Sequence, residues 1–231
     1  MKEYEASTAL WNEVYSECEL ADLTGETLEV EPMFDTCLKI FSSESDRVLD
    51  YGCGTGDILF QCADFGFLTY GLGIDRSETG IQYANKMATY NHYRNLDYMV
   101  GDISDTAQME DGDFDGIILS NVLDVMPKEE AREVYLEMTR LLREDGLLLV
   151  KLNPYATEHE LEGIGLQKLK GNLYEEDGVL RLRELKTDTW REEFKRDFEE
   201  ERYLEFPYPW QEGMNRLFLL RKKSKKTKKT E

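Results

Sequence analysis

The residues able to do chemistry gather at one turn. Val48, Leu49, Asp50 and Tyr51 form an apolar run broken by a single acid, and Gly52-Cys53-Gly54-Thr55-Gly56 follows with glycine at every second position. Ile58, Leu59, Cys62 and Phe65 then recur at helical spacing, so the glycines form a strand-to-helix turn. Without side chains they let the backbone run close to a ligand and take positive φ, while the helix start beyond them offers unpaired N–H groups. Such a turn suits a nucleotide-like ligand. The plainer alternative is a loop that only redirects the chain.

These groups need a scaffold that brings separate acids to one edge. From Asp46 the pattern alternates strand and helix, as in a doubly wound parallel sheet. Strands are expected at 47–51, 68–75, 96–100, 114–120 and 147–152. Helices are expected at 57–65, stopped by Gly66, at 78–90 behind an N-cap at Ser77, and at 128–143 opened by Pro127. Ligands of open α/β sheets sit outside the carboxyl ends of the strands, where Asp50, Asp75, Asp102 and Asn121 all fall.

The flanks differ. Residues 7–20 place Leu10, Trp11, Val14, Tyr15 and Cys18 on one side of an amphipathic helix, and Pro32 suits the first turn of a second one carrying Met33, Phe34, Cys37, Leu38 and Phe41. Past strand five, 169–174 and 179–185 flank Glu175-Glu176-Asp177-Gly178, a hairpin signal. Thr189 with Glu192 suits a capping box, and Trp190, Phe194 and Phe198 read as the core stripe of that helix, a substrate box being the alternative. Closing strands are expected at 203–206 and 216–220. The domain reading is a single unit over 1–220, made of a helical cap (1–45), a core (46–152), and a hairpin insertion with closing strands (153–220). A basic disordered tail over 221–231 follows.

Spacing separates the possible cofactors. A dinucleotide fold uses G-x-G-x-x-G with an acid about 20 residues on, whereas here G-x-G-x-G follows Asp50 directly. As a set, the motifs over residues 46 to 152 resemble those of the class I S-adenosylmethionine-dependent methyltransferases. Asp50 to Gly56 resembles the first-strand motif, Gly71-Leu72-Gly73-Ile74-Asp75-Arg76-Ser77 the second, Gly101-Asp102-Ile103 the third, and Phe114 to Leu123 the fourth. The resemblance implies an α/β, Rossmann-like doubly wound seven-stranded sheet with one antiparallel edge strand, an N-terminal helical cap and an inserted β-hairpin. It implies S-adenosylmethionine as cofactor, with Asp75 on the ribose hydroxyls and Asp102 and Ile103 at the adenine. Asp50, Gly52, Gly54 and Asn121 would hold the methionine half. Cys53, Gly56, Arg76 and Val122 complete the expected cofactor set. Trp11 and Tyr15 are similar to an N-terminal cap in which an aromatic, here Tyr15, closes over the cofactor; the alternative is that both pack on the sheet.

The chemistry implied is in-line displacement at a sulfonium, where orientation alone contributes ~7–11 kcal/mol. No catalytic side chain is assigned. His92 ends a helix far from the expected site. His159 follows strand five and could reach an acceptor, a surface histidine being the alternative, and Asp124 stands where related methyltransferases often carry histidine. Asn153-Pro154-Tyr155 resembles an amino-methylation motif but follows the wrong strand. A small-molecule acceptor is the first expectation; the rivals are a non-catalytic S-adenosylmethionine sensor or scaffold, a protein methyltransferase, and a nucleotide-dependent oxidoreductase.

The formal charge of −20 disfavours a broad nucleic-acid surface. The exception is the run Arg221 to Lys229, a solvated terminus or a tether to an anionic partner. Cys18, Cys37, Cys53 and Cys62 have no zinc or disulfide spacing, so free thiols and no metal are expected. Without a signal peptide or a long apolar run, a cytoplasmic, non-membrane protein is expected.

Overall fold

The computed structural model describes residues 2–224, with side chains from residue 6 onward. Helix α1 (Lys2–Ser16) lies four to five residues earlier than the periodicity suggests, and α2 (Pro32–Ser43) starts at its proline, with the Glu31 carboxylate accepting from the Met33 and Phe34 amides. Then come β1 (Arg47–Tyr51), α3 (Asp57–Asp64), β2 (Tyr70–Asp75), α4 (Glu78–Tyr90), β3 (Leu96–Val100) and β4 (Phe114–Ser120). Ser77 caps α4 as expected, its hydroxyl accepting from the Gly80 amide at 3.0 Å. Helix α5 (Lys128–Leu141) gives way two residues early to a long β5 (Leu142–Leu152).

The insertion is larger than a hairpin. A short α6 (Glu158–Gly163) leads into β6 (Gln167–Lys170), β7 (Leu173–Glu176) and β8 (Val179–Arg183), a three-stranded antiparallel sheet of its own. The sequence reading fused β6 and the start of β7 across Gly171, which turns the chain at φ 60°. Asp177 and Gly178 make the expected tight turn, both at positive φ. The capping box sits at Thr157 and Glu160, ahead of α6. Thr189 and Glu192 form none, because the N-cap of α7 (Thr187–Phe194) is Lys186, three residues before Thr189. Phe198 leaves the helix and opens β9 (Phe198–Phe206), and β10 (Asn215–Lys222) closes the fold.

Seven strands form one mixed sheet in the order β3-β2-β1-β4-β5-β10-β9, with β10 antiparallel to both neighbours, one strand in from that edge. Both faces are covered, which is why the central strands are largely buried and largely apolar rather than alternating. Helices α2, α3 and α4 cover one face through Phe34, Phe41, Leu59 and Ile81. Helices α5 and α7 cover the other through Val134, Met138, Trp190 and Phe194. Trp190, Phe194 and Phe198 are each at most 2% exposed, so these aromatics are core. Arg221 and Lys222, read as tail, belong to β10: the Arg221 guanidinium reaches Glu201, Glu44 and the Asp145 carbonyl. Residues 225–231 of that tail lie outside the described residues.

Candidate active site

The parallel strands present their carboxyl ends along one edge, and the glycine turn is pinned there. The Gly52 and Cys53 amides both donate to the Ile74 carbonyl of β2, at 2.7 and 3.2 Å. Gly52, Gly54 and Gly56 all have positive φ. At Gly54 the requirement is double, since φ is 54° and an added Cβ would stand 2.6 Å from the Tyr15 hydroxyl oxygen. Gly56 caps α3 from the left-handed region. Cys53 packs its thiol against the Gly73 backbone, and burial raises its pKa well above the usual thiol value, so this residue serves the turn through its main chain.

Two carboxylates flank the turn in different states. Asp75, at the tip of β2, accepts the Gly54 amide at 2.8 Å and the Ser77 amide at 2.7 Å. Burial raises its pKa, and those two N–H groups pull it back down. Asp50, at the tip of β1, is 1% exposed, and neither carboxylate oxygen has a hydrogen-bond partner. Burial, then the charges of Asp75 and Asp57, push it up to about 8. On the neighbouring strand tip Asn121 takes a left-handed backbone at φ 54°, its amide donating to the Lys151 carbonyl, and its side-chain oxygen is also buried without a partner. Val122 packs against Gly52.

At the β2–β3 side, Arg76 lies 3.7 Å from Asp102. Asp102 spends one oxygen on the Ser104 amide and hydroxyl, which hold its pKa down, and Ile103 packs against the core. From above, α1 packs on α4 and β8. Tyr15 lies against Gly54 and Gly80, and Asn12 accepts from the Ser77 hydroxyl and the Thr79 amide. Tyr15 thus reaches the glycine turn, with Trp11 stacked on it at 5.4 Å and 41% exposed.

Sequence reasoning singled out Asp124 and Asn153 separately but missed the buried polar chain that joins them beyond β4. Asp124, fully buried, accepts the Asn153 amide at 2.6 Å and its side-chain nitrogen at 3.1 Å. The Asn153 carbonyl accepts from Arg216 Nε at 2.9 Å. Arg183 ties the inserted sheet to the same turn, its backbone amide donating to the Asp124 carbonyl and its guanidinium to the Leu123 carbonyl. Lys151 is 5% exposed, its ammonium 4.8 Å from the centre of the Tyr208 ring, and burial lowers it to about 8. The available signal was a lone charge in an apolar strand: Lys151 after Leu147 to Val150, and Arg216 before Leu217 to Leu220. His159 is exposed on α6 and His92 exposed after α4, outside this network.

A family model described as a methyltransferase domain matches residues 42–202, well over half of the chain. The chain belongs to the methyltransferase domain family. S-adenosylmethionine is the methyl donor of its class I members, whose motifs Asp50 to Gly56 and Gly71 to Ser77 match. This methyltransferase domain is 28% identical over 114 residues to a putative methyltransferase of Geobacillus sp. (strain WCH70), a match that covers 49% of this chain and 45% of that protein. The match thus spans less than half the length of that curated relative. Among solved structures it superposes on the Burkholderia thailandensis 1,6-didemethyltoxoflavin-N1-methyltransferase, solved with 1,6-didemethyltoxoflavin and S-adenosylhomocysteine. There the TM-score is 0.69 at 16% identity, covering 96% of this chain and 91% of that one. The PH0226 protein of Pyrococcus horikoshii OT3 superposes with a TM-score of 0.65 at 21% identity, covering 83% and 88%. At these identities the likeness is one of fold. Among the described residues no helix is long and apolar enough to cross a membrane.

Proposed function

We propose that this methyltransferase domain binds S-adenosylmethionine across the tips of β1, β2 and β4 and methylates a small molecule held over β4 and β5. The observation that carries the reading is Asp50. A carboxylate buried with no hydrogen-bond partner is costly, and its natural complement is a cation; the donor brings an ammonium and a sulfonium. The unpartnered oxygen of Asn121 stands on the adjacent strand tip to receive the same ammonium. Asp75 uses two of its roughly four lone-pair sites on amides and keeps the others for a ribose. The absent side chain at Gly54 is what admits the Tyr15 hydroxyl, so Tyr15 packs directly on the glycine turn and bounds the site there.

The roof supports a small acceptor. Helix α1 reaches from α4 to β8, and β8 is bonded to the turn after β4, so cap and insertion meet over the strand tips. A folded protein or a duplex has little access to such a site, and the charge of −20 repels polyanions. Within it the protein's tasks are to orient donor and acceptor and to exclude water.

Calorimetry with S-adenosylhomocysteine should show one site per chain. Incubation with methyl-labelled S-adenosylmethionine and a metabolite panel should then release S-adenosylhomocysteine with at least one acceptor. Absence of binding overturns the cofactor assignment; tight binding with no turnover on any acceptor overturns the enzymatic one.

A further inference from the structure

Past β5 lies a second cleft, unused by the cofactor reading. It holds about 430 Å³, a small-ligand volume, and is lined by Tyr155, Met214, Glu205, Arg216 and the start of α7 at residues 186–188. Arg216 is 1% exposed. Its Nε donates to the Asn153 carbonyl at 2.9 Å and Nη1 to the Leu185 carbonyl at 2.7 Å, so two neutral acceptors set the plane of the guanidinium. Nη2 is buried with no hydrogen-bond partner. A buried cation with an open donor is expensive, and the planar fork matches the oxygens of an oxyanion.

The acids nearby do not fill that role. Glu205 accepts from the Tyr203 hydroxyl, and Asp188 pairs with Arg191 at 3.3 Å. Burial pushes Glu184 up to about 8 against the pull of Arg216, and neither of its buried oxygens hydrogen-bonds the guanidinium. Lys186 adds a second cation to the cleft, and Tyr155 and Met214, 43% and 42% exposed, offer an apolar wall. Hydrogen bonds run from the cleft toward the tip of β4: Arg216 bonds Asn153, Asn153 bonds Asp124, and Asp124 lies three residues past Asn121.

We infer that this cleft is the acceptor subsite and that it takes a small molecule with an apolar body and a carboxylate or phosphate group, bound through Arg216 Nη2. Only the word acceptor rests on the proposed methyl transfer; the oxyanion site stands on Arg216 and the cleft.

The test titrates the full chain, loaded with S-adenosylhomocysteine, with benzoate, phenyl phosphate and benzyl alcohol. One of the two anions should bind at least tenfold more tightly than the alcohol, and the better one names the oxyanion. R216Q should abolish the preference. Because Arg216 also braces two carbonyls, K186E provides a milder variant that leaves the brace intact; it should weaken the anion three- to tenfold at unchanged S-adenosylhomocysteine affinity. Equal binding of alcohol and anion, or undiminished anion binding in K186E, overturns the subsite. Failure of S-adenosylhomocysteine to bind overturns the methyltransferase reading instead, and the same titration on the unloaded chain still decides the oxyanion site.

Discussion

Asp50 is mostly neutral at pH 7, with its pKa near 8, and a cationic ligand would favour its ionised form. Binding of S-adenosylmethionine is therefore expected to release a substantial fraction of a proton at pH 7 and progressively less above pH 8. Calorimetry in buffers of different ionisation enthalpy reads this directly. Asp50→Asn should abolish the release and weaken binding about ten- to a hundredfold, the loss of one charge-assisted bond of ~1.5–3 kcal/mol. Asp75→Ala removes more than a ligand contact, because its carboxylate also receives the Gly54 and Ser77 amides. It should lower the melting temperature as well as weaken binding about ten- to a hundredfold, and unchanged affinity by calorimetry would sink the ribose assignment.

Among the elements, α1 is the piece added to an otherwise self-sufficient sheet. Asn12 fastens it by accepting from the Ser77 hydroxyl and the Thr79 amide. Removing two bonds of about 0.5–1.5 kcal/mol each, Asn12→Ala should speed hydrogen exchange in α1 well before any change in β1 or β4; equal rates in variant and wild type would show that α1 is held by other contacts. The parallel core was legible because buried strands write themselves as short, largely apolar runs, as in Arg47–Tyr51 and Phe114–Ser120, and because Ser77 and the Asp177-Gly178 turn carry unambiguous local chemistry. The insertion was harder to read. All four residues of β6, Gln167–Lys170, are exposed, so no periodicity marks it, and Phe198 continues the helical spacing of Trp190 and Phe194 although it opens a strand. In the site, glycines and acids at the first two strand tips could be seen in advance. The meeting of Arg216 with Asp124 and Asn153 could not, because it depends on β10 lying beside β5 across more than sixty residues of chain.

For the molecule as a whole, the buried acids set the pH dependence. Asp50 and Glu184 both titrate near 8 when folded, against about 4 when unfolded, so between those values the folded state binds more protons. Stability contributed by these two groups is fully present below pH 4 and is lost as pH rises through 8. Asp102 and Glu137 act oppositely: their pKa values are lowered, by Ser104 and by Arg140 respectively, so their contribution is lost on acidification. The ligand-free protein is expected to be most stable in mildly acidic solution and to weaken toward pH 8. Asp50→Asn should remove much of that decline, about 3 kcal/mol between pH 5.5 and pH 8, since about two of the roughly four pH units separating the unfolded and folded values, at ~1.36 kcal/mol each, are crossed over that window. Urea titrations at pH 5.5 and 8 compare the two proteins, and parallel declines would count against a neutral Asp50. The position of β10 between β5 and β9 has a further consequence, for biosynthesis. On the ribosome β9 emerges with no neighbour to join, and the backbone of Leu147–Leu152 stays open on one side until Asn215–Lys222 follows. A nascent chain stalled before that point would carry two sticky, unsealed edges, so the window of greatest risk for misassociation, and of greatest need for a chaperone, opens once β9 is made and closes when β10 has emerged.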